Sequence, residues 1–472
     1  LKARISNGAT WSALRELLVI VPQDFSALRL SEVMYHPAPE LAVEGISILN
    51  IVGDADLGRA RIDLASLPPG DLGAGDYIRV YGGLPTNNGV FQIADVEGDR
   101  VFIKATLSDD STMSAVADLL YDGDRYEFVE IENSGGTALQ LGAVEFSKGI
   151  SFAFAPDFTL AAGARAVIAN RPWDFADRYP AVPVVGEFLL DLDNGGETLE
   201  IAQTDAIPHD VTALDANGVI TFAALPPAAS VGNRIRITGC ERVTNNGSYR
   251  ILAVGSNSVT VGKAFVPAPD GAYAQLFEVI DSLDYDDSAP WPRAADGLGY
   301  SLVRDGATWR ASSVAGGSPG SGDTTPPLHP PLLVNEALTH TDLPQVDAVE
   351  IHNPTGAPVA LGGWSLTDDL DEPAKFRFAS GSIPAGAYAV FTEDDFGTVF
   401  RLGADGDSIH LLSPDLRYSH GFDFGAAENG VSFGRHLTST GAEHFVRQAA
   451  NTLGSANAGP RVGPVVISEI LY

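Results

Sequence analysis

Two acidic loops carry the residues best suited to bind a hard cation. Asp368, Asp369 and Asp371 lie in the segment LTDDLDEPAKF, and Asp191 and Asp193 lie in LLDLDNGGETL. Calcium takes six to eight oxygen ligands, which carboxylate-rich loops can supply. Neither loop has the fixed Gly and distal Glu of the twelve-residue calcium-binding loop, and Asp is also an ordinary turn residue. The sequence therefore predicts calcium as an optional ligand at these five residues, and no cofactor as a requirement.

A third acidic segment, LDYDDSAPWP, leads into a tryptophan. It places Asp284, Asp286 and Asp287 shortly before Trp291, which has a proline on each side. An indole held at the surface can stack on a sugar ring, whereas the alternative is packing in the core or at an edge. Trp291 is therefore the candidate for a glycan contact, and the three aspartates are a further candidate for calcium.

One pair of carboxylates has a spacing compatible with catalysis. Glu130 and Glu132 alternate with Val129 and Ile131 in the segment YEFVEIEN. At about 3.3 Å rise per residue the two glutamates are roughly 7 Å apart, as in some glycoside hydrolases. The same alternation predicts a half-buried strand whose exposed face simply carries Glu. The sequence contains neither a Gly-x-Ser-x-Gly nucleophile motif nor His and Cys at zinc-binding spacing, so we predict that it is not an enzyme.

The composition limits the classes of partner. The 472 residues carry a formal net charge of −32, which disfavours nucleic acid and anionic membrane surfaces as partners. No apolar run approaches the roughly 20 residues of a membrane helix, so we predict no membrane insertion.

Cys240 is the single cysteine, so no intrachain disulfide can form. Gly and Pro divide the sequence into short segments, a pattern typical of β-structure, and the length predicts several domains.

The sequence repeats itself. The segment YEFVEIEN at 126–133 recurs as DAVEIHN at 347–353, and LSEVMYH at 30–36 recurs as VNEALTH at 334–340. Further pairs follow in the same order, and VVISEILY at 465–472 restates the first strand once more. We therefore predict two tandem copies of one β-module and the first strand of a further copy.

The first copy is much the longer, because two segments interrupt it. Both interruptions contain an alternating strand, a Thr-Asn-Asn-Gly turn and two further strands. Asn-Gly between alternating apolar runs is a strong hairpin signal. We predict two small antiparallel β subdomains, inserted at about 45–122 and 207–277.

These motifs together resemble the lamin tail domain family in its bacterial branch. The segments that carry the resemblance are LRLSEVMYHP with YEFVEIEN, VNEALTH with AVEIHNPTGAPVALGGWSLTDD, LDYDDSAPWPRAADGLGYSLVR with WRASSVAGGSPGSGD, and FDFGAAENGVSFGRH. The family usually closes on a Thr-Pro-Gly turn, whereas the copies here have GSPGSGD and NTLGSAN. The inserts are also absent from the usual family pattern. The resemblance implies an immunoglobulin-like β-sandwich, repeated in large exported or surface proteins.

The predicted fold is all-β, with tandem immunoglobulin-like β-sandwiches. Residues 1–27 end a preceding β module, 28–323 form the first sandwich with its inserts, 324–331 are a Pro-rich linker, 332–459 form the second sandwich, and 465–472 open a further copy. The predicted function is a structural or adhesive segment of an exported bacterial surface protein or an acidic extracellular filament. Its expected partners are other copies of itself or neighbouring domains of a longer chain.

A lone first strand presents an exposed apolar edge, which favours pairing with another chain. If the chain ends at Tyr472, then Val466, Ile467, Ile470 and Tyr472 predict a strand donated between subunits; if it continues, the same residues begin the next module. The alternative function is a carbohydrate- or calcium-dependent binding module, attached to an enzyme outside this segment, with a glycan as partner.

Overall fold

The structure is a computed structural model. It describes residues 2–3, 6, 10, 15–16, 23–54, 58–67, 72–111, 114–205, 208–267, 272–288, 290–325, 329–370, 372–397 and 399–463. The chain forms two compact units, the first unit being Leu1–Trp291 with Ser301–Thr324 and the second unit Pro292–Tyr300 with Thr325–Tyr472. Pro292–Tyr300 lies within the predicted first sandwich, yet it belongs to the second unit, where the Tyr300 hydroxyl donates a hydrogen bond to the backbone oxygen of Asp415.

The first third of the chain is dominated by a closed barrel. The strands of this part of the chain are β1 (Lys2–Ala3), β2 (Arg15–Glu16), β3 (Leu28–Met34), β4 (Glu40–Asp54), β5 (Arg59–Leu64), β6 (Tyr77–Tyr81), β7 (Gly89–Glu97), β8 (Arg100–Ile103) and β9 (Val116–Tyr121). The barrel runs β4-β5-β8-β7-β6-β9 and closes by pairing β9 with β4. Alternate apolar residues such as Ile62 and Ile78 are fully buried inside it, and closure removes free edges.

The middle of the chain supplies most of the first sandwich and a second ring of strands. The elements are β10 (Phe128–Asn133), β11 (Leu139–Gln140), β12 (Val144–Lys148), β13 (Thr159–Leu160), β14 (Arg165–Ala169), α1 (Pro172–Arg178), β15 (Val184–Glu187), β16 (Thr198–Thr204), β17 (His209–Leu214), β18 (Val219–Phe222), β19 (Arg234–Thr238), β20 (Gly247–Val254), β21 (Ser258–Val261) and β22 (Tyr273–Asp284). Strands β17-β18-β21-β20-β19-β22 form the second ring, because β22 pairs with both β17 and β19. The other half of β22 pairs with β16 in the sandwich.

The last part of the chain contains the end of the first sandwich and all of the second. The elements are β23 (Leu302–Asp305), β24 (Thr308–Ala311), β25 (Leu333–Leu338), β26 (Ala348–His352), β27 (Val359–Ala360), β28 (Ser365–Thr367), β29 (Phe376–Arg377), β30 (Ser382–Ile383), β31 (Tyr388–Thr392), α2 (Glu393–Phe396), β32 (Gly406–Leu412), β33 (Ser419–Gly425), β34 (Phe433–Leu437) and β35 (Glu443–Arg447). Single 3-10 turns span Pro85–Asn87, Gly123–Tyr126, Val243–Asn245 and Arg293–Ala295.

The two sandwiches share the order of their main strands, while β15 in the first unit and β29 in the second have no counterpart strand among the described residues. The first unit has one sheet in the order β15-β14-β10-β3-β23-β24 and another containing β12-β16-β22. The second unit has the corresponding sheets β31-β26-β25-β34-β35 and β29-β28-β32-β33. A small ladder accompanies each sandwich, β11 with β13 and β27 with β30. The pairs are antiparallel apart from β14 with β15, and in the second unit one core contains side chains of both sheets, which is an immunoglobulin-like architecture.

A buried asparagine lies at the end of β10 in the first sandwich and directly after the equivalent β26 in the second. The Nδ2 of Asn133 donates to three backbone oxygens, at 2.8 to 3.1 Å, and the Nδ2 of Asn353 donates to three equivalent ones, at 2.8 to 3.0 Å. Both side chains are fully buried. Each amide thereby satisfies carbonyl groups that the irregular turn after the strand leaves without ladder partners.

The Thr-Asn-Asn-Gly segments lie in the connections of two antiparallel hairpins, β6 with β7 and β19 with β20, as predicted, and they also hold other loops. Asn87 and Asn245 are buried in the 3-10 turns that precede β7 and β20. Asn87 exchanges two hydrogen bonds of 2.8 Å with the backbone of Ser108, and Asn245 exchanges two with that of Val266, at 2.8 and 3.0 Å. The first Asn of each motif therefore fastens a distant loop to its own ring of strands.

Candidate functional site

Four glutamates form the most distinctive polar arrangement in the molecule. Glu32 and Glu130 are direct cross-strand neighbours on β3 and β10, and Glu336 and Glu350 are direct neighbours on β25 and β26. All four side chains are buried. The prediction that Glu130 lies on an exposed strand face is therefore wrong, because that face is covered by the turn that closes the sandwich.

In the first unit the closing turn is held by both glutamates. The backbone N–H of Ser318 donates to Glu32 Oε1 at 2.7 Å, and its hydroxyl donates to Oε2 at 2.9 Å. The backbone N–H of Gly320 donates to Glu130 Oε2 at 2.6 Å. Ser301 adds a hydroxyl donor to Glu32 at 2.5 Å. The carboxylates thus act as fixed acceptors for the end of their own domain.

The second unit repeats these contacts almost atom for atom. The backbone N–H of Thr452 donates to Glu336 Oε1 at 2.9 Å, and its hydroxyl donates to Oε2 at 2.6 Å. The backbone N–H of Gly454 donates to Glu350, and the hydroxyl of Ser432 donates to Glu336. We name each set, glutamate pair plus hydroxyl-x-Gly turn, a carboxylate latch. The residue between the hydroxyl and the Gly makes no hydrogen bond to the glutamates, which explains why the turn needs no Pro in the second copy.

Burial sets the electrostatics of the two latches. It raises the pKa of Glu32 to about 7, against the lowering effect of the hydrogen bonds from Ser301 and Ser318. Burial also raises the pKa of Glu130 and of Glu350. Arg165 forms an ion pair with Glu130 in the first latch, whereas Asn335 donates a neutral amide to Glu350 at 2.7 Å in the second. Every one of these carboxylate oxygens accepts a hydrogen bond or forms an ion pair within the module.

Glu132 lies outside the latch. It is partly buried and forms ion pairs with Arg29 at 2.9 Å and with Arg165 at 3.3 Å. The spacing that suggested a catalytic pair with Glu130 therefore separates a latch residue from a surface ion pair.

Trp291 lines an open cleft of about 430 Å³ in the first unit. Polar side chains supply most of its other walls: Lys148, Glu197, Thr198, Asp284 and Asp286. The Lys148 ammonium donates to the Thr198 hydroxyl at 2.7 Å, which donates to Asp284 at 2.6 Å. The indole is half-buried, and Asp286 accepts a hydrogen bond of 2.9 Å from the backbone N–H of Ser288. The cleft thus combines an aromatic face with carboxylates that can accept hydrogen bonds from hydroxyl groups.

The acidic loop of the second unit contains its own cation. The Lys375 ammonium lies 2.8 Å from Asp368 Oδ1 and 3.8 Å from Asp369 Oδ2. Burial opposes the charged form, but Asp368 and Asp369 raise the pKa of Lys375 above its usual value. Asp371 lies outside the described residues. A calcium ion at this loop would have to compete with the ammonium, and calcium here stays a prediction.

Asp191 and Asp193 make different contacts. Asn170 Nδ2 donates to Asp191 Oδ1 at 2.8 Å and to Glu127 Oε2 at 2.7 Å, while Asp193 Oδ1 accepts from the backbone N–H of Gly195 at 2.9 Å. Glu127 is fully buried, and its Oε1 accepts no hydrogen bond. Burial raises the pKa of Glu127 to about 9, and the charge of Asp191 adds to this rise. Glu127 is the residue that the sequence pattern missed, although it directly precedes a strand whose alternation was recognised.

Across the described parts of the chain, no three Asp, Glu, His or Cys side chains are placed to hold one metal ion. Among the same residues, no helix is both long and apolar enough to cross a membrane. Cys240 is buried and unpaired, and burial raises the pKa of its thiol. Trp364 is buried in the core of the second sandwich, and the guanidinium of Arg304 lies over the ring of Trp309 at 4.9 Å.

Comparison with known proteins gives one match. Residues 326–422 match the family model described as Lamin Tail Domain. Neither the curated proteins nor the solved structures contain a match to the chain. The matched residues run from just before β25 into β33 of the second sandwich. Lamin tail domains are a structural, non-enzymatic fold family of immunoglobulin-like architecture. Residues 326–422 of this nearly all-β chain therefore belong to the lamin tail domain family.

Proposed function

We propose that the chain is a structural segment of an exported bacterial surface protein or extracellular filament, and that it acts through protein–protein contacts. The observation that carries this proposal is the repetition of one strand order and one carboxylate latch in both units. On this view the first unit is a second copy of the lamin tail module. Modules whose buried carboxylates hold their own closing turns are stable units that can follow one another in a longer chain.

Localisation and association test this function. Antibodies raised against the whole chain should label intact, unpermeabilised cells of the source organism, and external protease should remove that label. Sedimentation velocity of the purified chain should show association that increases with concentration. Labelling only after permeabilisation, or a strictly monomeric chain over the accessible concentrations, would contradict the proposal.

Strand donation is the finer form of this proposal. Val466, Ile467, Ile470 and Tyr472 lie outside the described residues, so the donated strand stays a prediction. Both sandwiches already hold their own first strand, β3 and β25, between two neighbours. A strand from another chain therefore has no vacancy to fill and would have to add at a sheet edge. Deleting residues 465–472 should weaken association.

The cleft at Trp291 favours a second function, a carbohydrate-binding module attached to an enzyme elsewhere in a longer protein. An aromatic platform beside Glu197, Asp284 and Lys148 offers both stacking and hydrogen bonds to a sugar. A glycan array probed with the whole chain should show binding that Trp291→Ala abolishes. The half-buried Trp309, which packs on Arg304, supplies the control variant Trp309→Phe. A blank array, or an array indifferent to both variants and to calcium, would reject this function.

A further inference from the structure

The two sandwiches differ at one edge of otherwise equivalent sheets. In the first unit β14 pairs with β10, with Val167 opposite Glu130; in the second unit β31 pairs with β26, with Val390 opposite Glu350. The remaining pairs of the two ladders also correspond one to one. Val167 and Val390 are therefore equivalent residues on the same face of the same strand.

In the first unit this edge is covered. Strand β15 adds to β14 in parallel, with Val184 opposite Val167. Val184 packs with Phe175 of α1 against a cluster that contains Val167 and Phe128. As a result the exposed fraction of Val167 is 1%.

In the second unit the corresponding edge is open. Among the described residues no strand pairs with the outer side of β31, and the exposed fraction of Val390 is 37%. The strand reads Tyr-Ala-Val-Phe-Thr, and its pairing with β26 has no bulge. Natural edge strands are usually protected by Lys, Pro, a bulge or a cover. None of these protects β31, so it is a regular template for another strand.

The sequence of the chain contains a segment that resembles the cover. Residues 183–187, which include β15, read PVVGE, and residues 464–469 read PVVISE. The second segment lies outside the described residues, so its sequence alone makes the argument. The same residues also resemble the first strand of the module, but in the alignment with β15 Val465 takes the place of Val184 and should lie opposite Val390.

We propose that β31 accepts residues 464–469 of a second copy of the chain as an added parallel strand. The inference rests on the proposed function, because it names the surface through which copies associate. Main-chain hydrogen bonds to β31 supply the affinity of such an addition, and side chains on alternate positions supply its register. The side chain of Val465 would cover Val390, as Val184 covers Val167 in the first unit.

Disulfide trapping tests the surface and the register together. In a Cys240→Ala background, full-length chains carrying Val390→Cys are mixed with full-length chains carrying Val465→Cys and oxidised mildly. Neighbouring strands lie about 4.8 Å apart, within the range that a disulfide spans. We expect a covalent dimer of the two variants in several-fold excess over either homodimer. Val466→Cys is the matched control, because a shift by one residue turns the side chain to the other sheet face.

Other outcomes would overturn the proposal. Equal trapping by Val465→Cys and Val466→Cys would mean random collision. A doubly substituted chain that forms an internal disulfide at high dilution would assign the segment to its own β31 instead of a second copy.

In sedimentation, Val390→Asp should raise the dissociation constant at least tenfold, whereas Leu437→Asp, at an exposed position on β34, should leave it unchanged. Association that persists in Val390→Asp would reject β31 and still leave a contact-based function in place.

Discussion

The first and second sandwiches share strand order, turn asparagine and carboxylate latch, but they differ in what lies on the latch face of the sheet. In the first unit β15 extends the sheet beyond β14, and α1 and the ion pair from Arg165 lie on that face. In the second unit the closing turn covers the latch itself and leaves β31 exposed. The closing turn and its carboxylate latch are therefore the same in both units. The edge of the sheet differs, because it is covered at β14 in the first unit and open to contacts at β31 in the second.

The largest difference between the units should come from placing a charge on this face. Val167→Asp buries an unpaired carboxylate and should lower the free energy of unfolding of the first unit by about 4 kcal/mol or more. The equivalent Val390→Asp should cost the second unit less than about 1 kcal/mol, because its side chain reaches water. Hydrogen exchange across a urea series, followed peptide by peptide, resolves the two units. Equal losses would mean that the second edge is also covered.

The second largest difference between the units should come from removing the latch glutamate on β10 or β26, which is Glu130 in the first unit and Glu350 in the second. Glu130→Ala removes the buried carboxylate that Arg165, Ser31 and the turn N–H share; Arg165 keeps only Glu132 at 3.3 Å, and the change should cost the first unit about 3 to 5 kcal/mol. Glu350→Ala leaves only neutral donors and should cost the second unit about 1 to 3 kcal/mol.

Glu132→Ala is the control for this pair. It removes a partly exposed ion pair and should cost less than about 1 kcal/mol. The same exchange measurement should show the turn at 318–320 losing protection first in Glu130→Ala. Protection that is lost uniformly, or only far from the turn, would contradict the latch.

The first unit should depend on pH more steeply than the second, in which the raised pKa of Glu350 and the lowered pKa values of two histidines act in opposite directions. The pKa of Glu32 is raised to about 7, so its stabilising contribution to the first unit is fully present below the unfolded pKa near 4.5, where the carboxyl is protonated in both states. That stabilisation is lost as the pH rises through 7, and Glu127, whose pKa is about 9, extends the loss upward. In the second unit burial lowers the pKa of His410 and His420. These groups cost stability when they are protonated, so they favour folding as the pH rises towards 6.5.

Unfolding midpoints between pH 5 and pH 8 measure this contrast. The first unit should lose stability over this range, and Glu32→Gln should reduce the loss without abolishing it, because Glu127 also titrates across these pH values. The stability of the second unit should stay constant or increase as the pH rises from 5 to 6.5. A first unit that is more stable at pH 8 than at pH 5 would show that Glu32 is not the buried acid described here.

The smallest effect should come from exchanging the middle residue of the closing turn. Pro319→Leu and Leu453→Pro should each change the free energy of unfolding by about 0.5 kcal/mol or less. A proline gains about 0.4 to 1 kcal/mol by restricting the unfolded chain, but Leu453 donates its N–H to Asn451 at 3.2 Å, which a proline cannot do. Ser318→Ala and Thr452→Ala remove a donor to a buried carboxylate and should cost clearly more, as thermal unfolding would show.

The repeat pattern was enough to predict the elements of the sandwiches. Alternation predicted strands at 126–133 and 347–353, and the structure places β10 and β26 there. The immunoglobulin-like fold followed from the resemblance. These features depend on local pattern, which a sequence displays directly.

The latch and the ring closures could not be predicted in the same way. Glu130 looked like an outward-facing residue, because alternation gives the side of a strand and not what later covers that side. The covering turn begins near Gly316, far along the chain. In the same way, the antiparallel inserts were recognisable, but their closure depends on β9 and β22 returning to distant partners. Both copies contain two strands that each carry a Glu, followed later by a hydroxyl-x-Gly turn. A comparison of the copies could have used this recurrence to predict that the turn binds the glutamates.

The position of the first barrel has a mechanical consequence. The barrel leaves the sandwich after β3 and returns to it before β10, and its two ends, Glu40 and Tyr121, are paired neighbours. Tension along the chain passes between β3 and its neighbours β10 and β23 while that sheet holds, so the barrel carries no load. Once the sheet gives way, β4 and β9 are pulled apart from the same end, and their hydrogen bonds open one after another. The barrel would then release hidden length of roughly 270 Å, at about 3.3 Å for each residue, and the sandwich would be its trigger.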